Sequence, residues 1–171
     1  MQTDAVRRYY EPLRRKWASL LLKRGFDAVV SLVGLIVLSP VLAALAVWIK
    51  ADSKGPVLFR QTRITRYGKP FRIYKFRTMV ADAEARGTQV TVQGDSRITR
   101  AGARLRDRRL DELPQLLNIL KGDMSFVGTR PEVPRYVDQY TDEMYATLLL
   151  PAGVTSQASI LFRDEQRLLD G

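Results

Sequence analysis

From Ala28 to Ile49 the chain reads AVVSLVGLIVLSPVLAALAVWI, 22 residues without a charge. As a straight helix this run would reach about 33 Å, enough for the hydrocarbon core of a bilayer. A buried helix of that length has no polar face to offer, which a chain of 171 residues cannot readily enclose. The run therefore reads as a membrane segment, and its flanks and its centre say how it meets the bilayer.

A secretory signal would need a short basic leader, a shorter apolar stretch and an A-x-A-like site. Ala44-Leu45-Ala46 supplies the last, but 27 residues precede the run. A single crossing would separate two basic flanks. Arg7, Arg8, Arg14, Arg15, Lys16, Lys23 and Arg24 lie upstream, with Lys50, Lys54, Arg60, Arg63, Arg66 and Lys69 downstream. The positive-inside rule wants both flanks in the cytoplasm. Ser39-Pro40 sits at the centre of the run, where proline removes a helical N–H and Ser39 can bond a carbonyl that the break sets free. A re-entrant helix–break–helix over 23–50 keeps both flanks on one face and is favoured over a kinked span.

The rest reads coarsely. Residues 1–22 mix basic and bulky apolar side chains and are expected to form an amphipathic helix at the membrane interface, with Trp17 and the tyrosines at headgroup level, a plain solvated basic face being the open alternative. Val57–Ile64 and Phe71–Met79 flank the turn-rich stretch Arg66-Tyr67-Gly68-Lys69-Pro70 and predict a β-hairpin. Period-two alternation on its second strand puts Lys75 and Arg77 on one face and Tyr74 and Phe76 on the other. Residues 80–96 read as a loop. Six arginines between Arg97 and Arg109 are opposed within that stretch by Asp107 alone.

Composition narrows the chemistry. With no His and no Cys there is no imidazole base, thiolate nucleophile or His/Cys zinc site. What remains are carboxylates, Lys, Arg, Tyr, Ser and Thr, with a hard, oxygen-preferring cation. The net charge of +10 points to a polyanionic partner: nucleic acid, acidic lipid or a phosphorylated substrate.

LDELPQLLNIL, Leu110 to Leu120, carries apolar residues on one helical face. Pro114 is tolerated only in a first turn, so the helix is expected to start near Asp111-Glu112, with Lys121-Gly122 as its stop. Acids at a helix start can simply complement its dipole, and on that ground alone the pair has an ordinary structural explanation. Gly128-Thr129-Arg130-Pro131 is a turn that can present one guanidinium, or a plain turn with a surface arginine.

Taken in order, KRGFDAVVSLVGLIVLSP, FRIYKFRTM, LDELPQLLNILKGDMSFVGTRP and PAGVTSQAS resemble the bacterial sugar transferase family, the small monotopic phosphoglycosyl transferases. The resemblance spans about residues 20–165. It implies transfer of a sugar-1-phosphate from a UDP-sugar to polyprenyl phosphate, with loss of UMP, through a covalent aspartyl-phosphosugar. Asp111 matches the nucleophile and a Mg²⁺ ligand, and Glu112 its dyad partner. Arg106, Arg130, Lys75, Arg77 and Arg163 match positions suited to substrate phosphates. Lys23, Arg24 and Asp27 match the start of the membrane helix, and Ser39 and Pro40 its break.

The family motif has Pro where this chain has Thr129. Relatives usually continue for several tens of residues past the point matching Gly171, so the chain is expected to be a shortened form or one completed from elsewhere. The expected fold is α+β and mostly helical: a monotopic membrane protein with an interfacial helix, the re-entrant segment, and a cytoplasmic catalytic domain over 51–171 containing the hairpin. It would sit on the cytoplasmic face of a bacterial inner membrane. Membrane lipids are expected partners and nucleic acid is not, while a homodimer is left open. A membrane-tethered basic binding module and an inactive anchoring relative are the alternative functions.

Overall fold

The computed structural model describes residues 3–83 and 95–156. Arg163 lies outside the described residues. The chain is α+β and mostly helical, and its contacts divide it into two units. One comprises Met1–Val29, Thr62–Phe71 and Ile119–Gly171, and the other Val30–Gln61 and Arg72–Asn118.

The N-terminal half is three helices. α1 spans Asp4–Arg15, α2 Trp17–Val37 and α3 Ser39–Asp52. The interfacial helix expected over 1–22 is therefore shorter. Lys16 leaves helical geometry (φ −98°, ψ 22°), and its N–H bonds the Leu13 carbonyl three residues back, closing α1 as a tight last turn. Lys23, Arg24 and Asp27 lie in the first half of α2, ahead of its uncharged stretch.

The second break falls where the proline places it. The chain bends by 62° between α2 and α3. Pro40 occupies the first turn of α3, where its missing N–H costs nothing. The Ser39 hydroxyl donates to the Ile36 carbonyl at 2.7 Å, satisfying an acceptor that the break exposes. Among the described residues no single helix is long and apolar enough to cross a membrane, but the bent pair passes that test by length and composition. Leu22, Phe26, Val33, Ile36, Val37 and Val47 are all exposed, apolar surface that water does not favour.

β1 (Leu58–Ile64) and β2 (Pro70–Phe76) form the expected hairpin as a two-stranded sheet. At its tip Tyr67 takes a left-handed conformation (φ 58°), and the Thr65 N–H bonds the Lys69 carbonyl. β2 ends at Phe76, three residues earlier than the sequence suggested, because Arg77 turns inward. After the described loop come α4 (Arg100–Asp107), a 3₁₀ turn over Leu110–Gln115, and α5 (Leu116–Lys121). The single helix expected over 110–120 is thus split. Pro114 has no N–H to return to the Leu110 carbonyl, so the first turn winds as 3₁₀ and the α-helix begins at Leu116. β3 (Met124–Val127), the short helix α6 (Pro134–Val137) and β4 (Ala152–Thr155) complete the described chain.

Each unit has its own core. In the second, Leu45 and Ile49 of α3 pack with Phe76, Leu105 of α4, and Leu110 and Leu113 of the 3₁₀ turn. In the first, Ile64, Val137 and Leu148 pack under Tyr140 and Tyr145, whose rings meet edge-on at 5.8 Å. There β3 and β4 run parallel, Ser125 opposite Gly153. The Thr65 hydroxyl donates to the Asp123 carbonyl at 2.6 Å and accepts from the Ala152 N–H at 3.1 Å.

The parallel pair explains two glycines. The Gly153 N–H bonds the Thr129 carbonyl and the Gly128 N–H bonds the Thr155 carbonyl. A β-carbon on Gly153 would lie 2.1 Å from the Gly128 nitrogen, a clash with backbone that cannot rotate away. Gly153→Ala is expected to cost about 1–3 kcal/mol or more, seen as a lowered midpoint in thermal or chemical unfolding. An unchanged midpoint would mean that this close approach is not kept in solution.

Candidate active site

The Asp-Glu pair is reached from the arginine-rich stretch through a strained residue. Arg109 has φ 56°, a left-handed conformation that non-glycine residues adopt at a cost, and its carbonyl accepts the Glu112 N–H. The chain thereby turns out of α4 into the 3₁₀ turn that carries both acids. Asp111 is buried, 8% exposed. Glu112 meets Lys75 of β2, Nζ to Oε1, at 2.7 Å.

The strand and the dyad are held in register by Asn118, which is fully buried. Its Oδ1 accepts the Tyr74 N–H at 2.9 Å and its Nδ2 donates to the Arg72 carbonyl at 2.8 Å. One side chain thus pairs with the β2 backbone as another strand would, on either side of Ile73, two residues from Lys75. Sequence reading missed Asn118. An amide inside the otherwise apolar run LLNIL was the signal, since a buried amide must find partners.

Burial pushes the Asp111 carboxyl above the ordinary aspartate range. Lys75 opposes that shift, the Glu112 charge adds to it, and Arg106 pulls weakly downward. The site thus gathers Asp111, Glu112, Lys75 and Arg106: a poorly solvated carboxyl with a lysine–glutamate pair alongside. Such a carboxylate is more basic than one in water and is compensated mainly by one lysine, the condition of an activated nucleophile. Lys75→Met is expected to raise the Asp111 carboxyl further. If the ionised Asp111 is the reactive form, the acid limb of a pH–rate profile should move to higher pH. A limb that stays in place would show that Asp111 does not titrate under the influence of Lys75.

The arginines sort differently from expectation. Arg77 is expected to bind phosphate beside Lys75, but it is buried and both terminal nitrogens of its guanidinium are already committed. It donates to the Lys54 carbonyl at 2.7 Å and to the Ser53 carbonyl and hydroxyl at 2.7 and 2.9 Å. These groups lie at and just beyond the end of α3, so Arg77 caps that helix. Gly55 (φ 127°) lets the chain pass, since a β-carbon there would meet the guanidinium at 2.0 Å. Arg130 is exposed and belongs to the other unit, where it shares surroundings with Arg63. Arg63 donates to the Pro131 carbonyl at 3.0 Å. Its pKa is lowered by burial, with Glu132 opposing and Arg130 adding to the shift. Arg97 is taken by Asp95, whose carboxylate it holds down to about 2.

The charged residues of α2 meet protein groups. Asp27 accepts from Lys23 at 3.0 Å and from the Ser125 hydroxyl at 2.7 Å, and Lys23 also meets that hydroxyl. Arg24 donates to the Ile119 and Leu120 carbonyls at 2.6 and 2.7 Å, capping the end of α5.

Among the described residues no cluster of three or more His, Cys, Asp or Glu side chains is present. Asp111 and Glu112 offer carboxylate oxygens, the donor type that a magnesium ion takes from a protein one or two at a time, with one Glu112 oxygen already on Lys75.

The family model for bacterial sugar transferases matches residues 18–169. The chain is 43% identical over 144 residues to the UDP-N-acetylgalactosamine-undecaprenyl-phosphate N-acetylgalactosaminephosphotransferase of Aeromonas hydrophila, covering 82% of this chain and 34% of that one. It is 43% identical over 144 residues to the UDP-glucose:undecaprenyl-phosphate glucose-1-phosphate transferase of Escherichia coli, covering 82% and 31%. Against the exopolysaccharide production protein PSS of Rhizobium leguminosarum it is 54% identical over 112 residues, covering 65% and 56%. The chain therefore spans about a third of the first two and just over half of the third.

Proposed function

The chain belongs to the bacterial sugar transferase family, and from that premise we propose that it moves a sugar-1-phosphate from a UDP-sugar to polyprenyl phosphate through Asp111. The observation that carries this reading is the buried Asp111 carboxyl, raised by burial and opposed chiefly by Lys75, beside Glu112. The names of two relatives, each a transferase onto undecaprenyl phosphate, support the acceptor class and a UDP-sugar donor. Those two relatives carry different sugars in their names, so the donor class proposed here is the UDP-sugar and not one sugar.

An Asp111 carboxylate oxygen attacks the phosphorus that bears the sugar. The diphosphate P–O bond breaks, UMP leaves with the electron pair, and a phosphosugar remains on Asp111. A phosphate oxygen of the polyprenyl phosphate then attacks the same phosphorus, which returns the Asp111 carboxylate and yields the polyprenyl diphosphosugar. A carboxylate approaching a diphosphate meets strong repulsion, so positioning and charge neutralisation dominate the barrier. Lys75 and Arg106 supply fixed positive charge at this site. Glu112 takes the acceptor's proton in this reading, once its pairing with Lys75 loosens. Magnesium, when bound by Asp111 and Glu112 together with the substrate, supplies further neutralisation of the diphosphate. Arg130 is assigned to phosphate binding as well.

The bent α2–α3 pair serves as the re-entrant membrane segment on the cytoplasmic face of the inner membrane, with α1 at the interface. This brings a water-soluble donor and a lipid acceptor to one surface. Labels near Met1 and near Gly171 should then be accessible from the same side, and accessibility from opposite sides would rule the re-entrant topology out. The test of the chemistry is intact mass after incubation with a panel of UDP-sugars and Mg²⁺ without acceptor, with UMP release followed in parallel. A sugar-phosphate gain in mass is expected, lost in Asp111→Asn. A gain that survives the substitution removes Asp111 from the nucleophile's role.

A further inference from the structure

α4 has two unlike faces. Ala101 and Leu105 are buried inward, Leu105 against Leu45 and Ile49 of α3. The start of α4 is fastened to the end of α3. Asp52, the last residue of α3, accepts the Ala101 N–H at 3.3 Å, while the Thr99 hydroxyl accepts the Gly102 N–H at 3.0 Å. Gly102 lies so near the Thr78 carbonyl that a β-carbon there would meet its oxygen at 2.0 Å. α4 is therefore held alongside the last two turns of α3.

The outer face carries Arg100 and Arg104, with Arg108 capping the helix end. A spacing of four residues places them in one stripe, and all three are exposed. Arg100 and Arg108 have no side-chain partner among the described residues. Arg104 lies over the ring of Trp48, 6.0 Å from its centre. The acid on this helix is Asp107, exposed beside Arg108. This is a different use of arginine from Arg97, which is bound to Asp95, and from Arg106, which lies in the electrostatic surroundings of Asp111.

We infer that Arg100, Arg104 and Arg108 form a binding surface for the phosphate headgroups of anionic phospholipids, set at the depth where α3 leaves the bilayer. The inference rests on the re-entrant reading of α2 and α3. Trp48 marks that depth, since tryptophan rings favour the headgroup layer, and its contact with Arg104 ties the cationic stripe to it. Val47, next to Trp48, is 71% exposed and apolar, surface that a bilayer covers and a polyanion in water does not. Guanidinium groups are suited to forked contact with phosphate, and unpaired ones near an anionic leaflet are drawn to it.

The test uses the full chain in nanodiscs of phosphatidylcholine alone and of phosphatidylcholine mixed with phosphatidylglycerol. Lipids retained through purification are counted by mass spectrometry. In a Trp17→Phe background Trp48 is the one tryptophan left, and its emission reports the stripe directly. Phosphatidylglycerol is expected to be retained several-fold above its share of the disc, with high salt erasing the excess. Arg100→Gln, Arg104→Gln and Arg108→Gln together should abolish the enrichment and the response of Trp48, while incorporation into neutral discs is unchanged. The corresponding triple substitution by Lys, which keeps the charge, should retain most of it. Equal enrichment in wild type and the Gln triple variant overturns the inference and leaves the re-entrant reading standing. Failure of the wild type to enter neutral discs at all overturns the re-entrant reading, and the lipid surface with it.

Discussion

Asp111→Asn is expected to reduce phosphosugar transfer by roughly 10³-fold or more, the scale on which loss of a nucleophile acts, and at the same time to raise the melting temperature at neutral pH. The two effects have one cause. Burial makes the ionised Asp111 carboxyl unfavourable, and Lys75 and Arg106 compensate only in part, so its folded pKa lies above the ordinary aspartate value. A folded state that binds a proton more tightly than the unfolded chain is stabilised in acid and loses that advantage as pH rises through the folded pKa. At neutral pH the carboxylate is thus a net burden on the fold, which asparagine removes with little change of shape. The gain in melting temperature should shrink as pH falls through the raised folded pKa and vanish below the ordinary aspartate range, where Asp111 is protonated in both states. Thermal unfolding in detergent at several pH values, beside UMP release, measures both effects. A variant that is inactive but less stable at neutral pH would mean that the Asp111 charge is well compensated in the fold, and the account of its activation would fail.

How far the sequence could be read depended on whether one residue or a distant partner decided the outcome. The Ser39-Pro40 break was legible because proline's missing N–H is a local fact, and the Ser39 hydroxyl bond to Ile36 follows from it. The hairpin was legible from its turn chemistry. The helix over 110–120 was legible in its face but not in its winding, since the same Pro114 that marked its start also forced the 3₁₀ turn. Lys16 carried no sign of ending α1, because nothing in its side chain forbids a helix there. The Asp-Glu pair was visible as a motif, but its chemical distinction was not. The burial that raises Asp111 comes from folding, and the Lys75–Glu112 contact joins residues 37 apart. Asn118 and Arg77 were missed or misjudged for a related reason. Their partners are mainly backbone groups, which the identity of neighbouring side chains does not reveal.

Arg77→Ala is expected to destabilise the protein by about 3 kcal/mol or more, and Arg77→Lys to recover only part of that loss. Removing the guanidinium strips the donor from the Ser53 and Lys54 carbonyls and the Ser53 hydroxyl, part-buried groups at and just beyond the end of α3, and empties the space that the buried Arg77 side chain fills. A buried acceptor left without a donor costs about 1–3 kcal/mol and a part-buried one less, so the loss of three such bonds together with the buried stem sums to that scale. Lysine keeps the charge but is a compact point donor on a flexible stem, and it cannot bridge carbonyls one residue apart as the planar fork does. The damage should extend to the site. Arg77 follows β2 directly, and its own N–H bonds the Val57 carbonyl, so loosening it frees the strand that carries Lys75. Chemical unfolding in detergent, with donor KM and kcat measured on whatever folds, separates this role from phosphate binding. A strut lost from the fold lowers the unfolding midpoint and weakens both kinetic constants. A phosphate ligand lost from a rigid site would raise the donor KM sharply and leave the midpoint where it was, and that result would return Arg77 to the substrate.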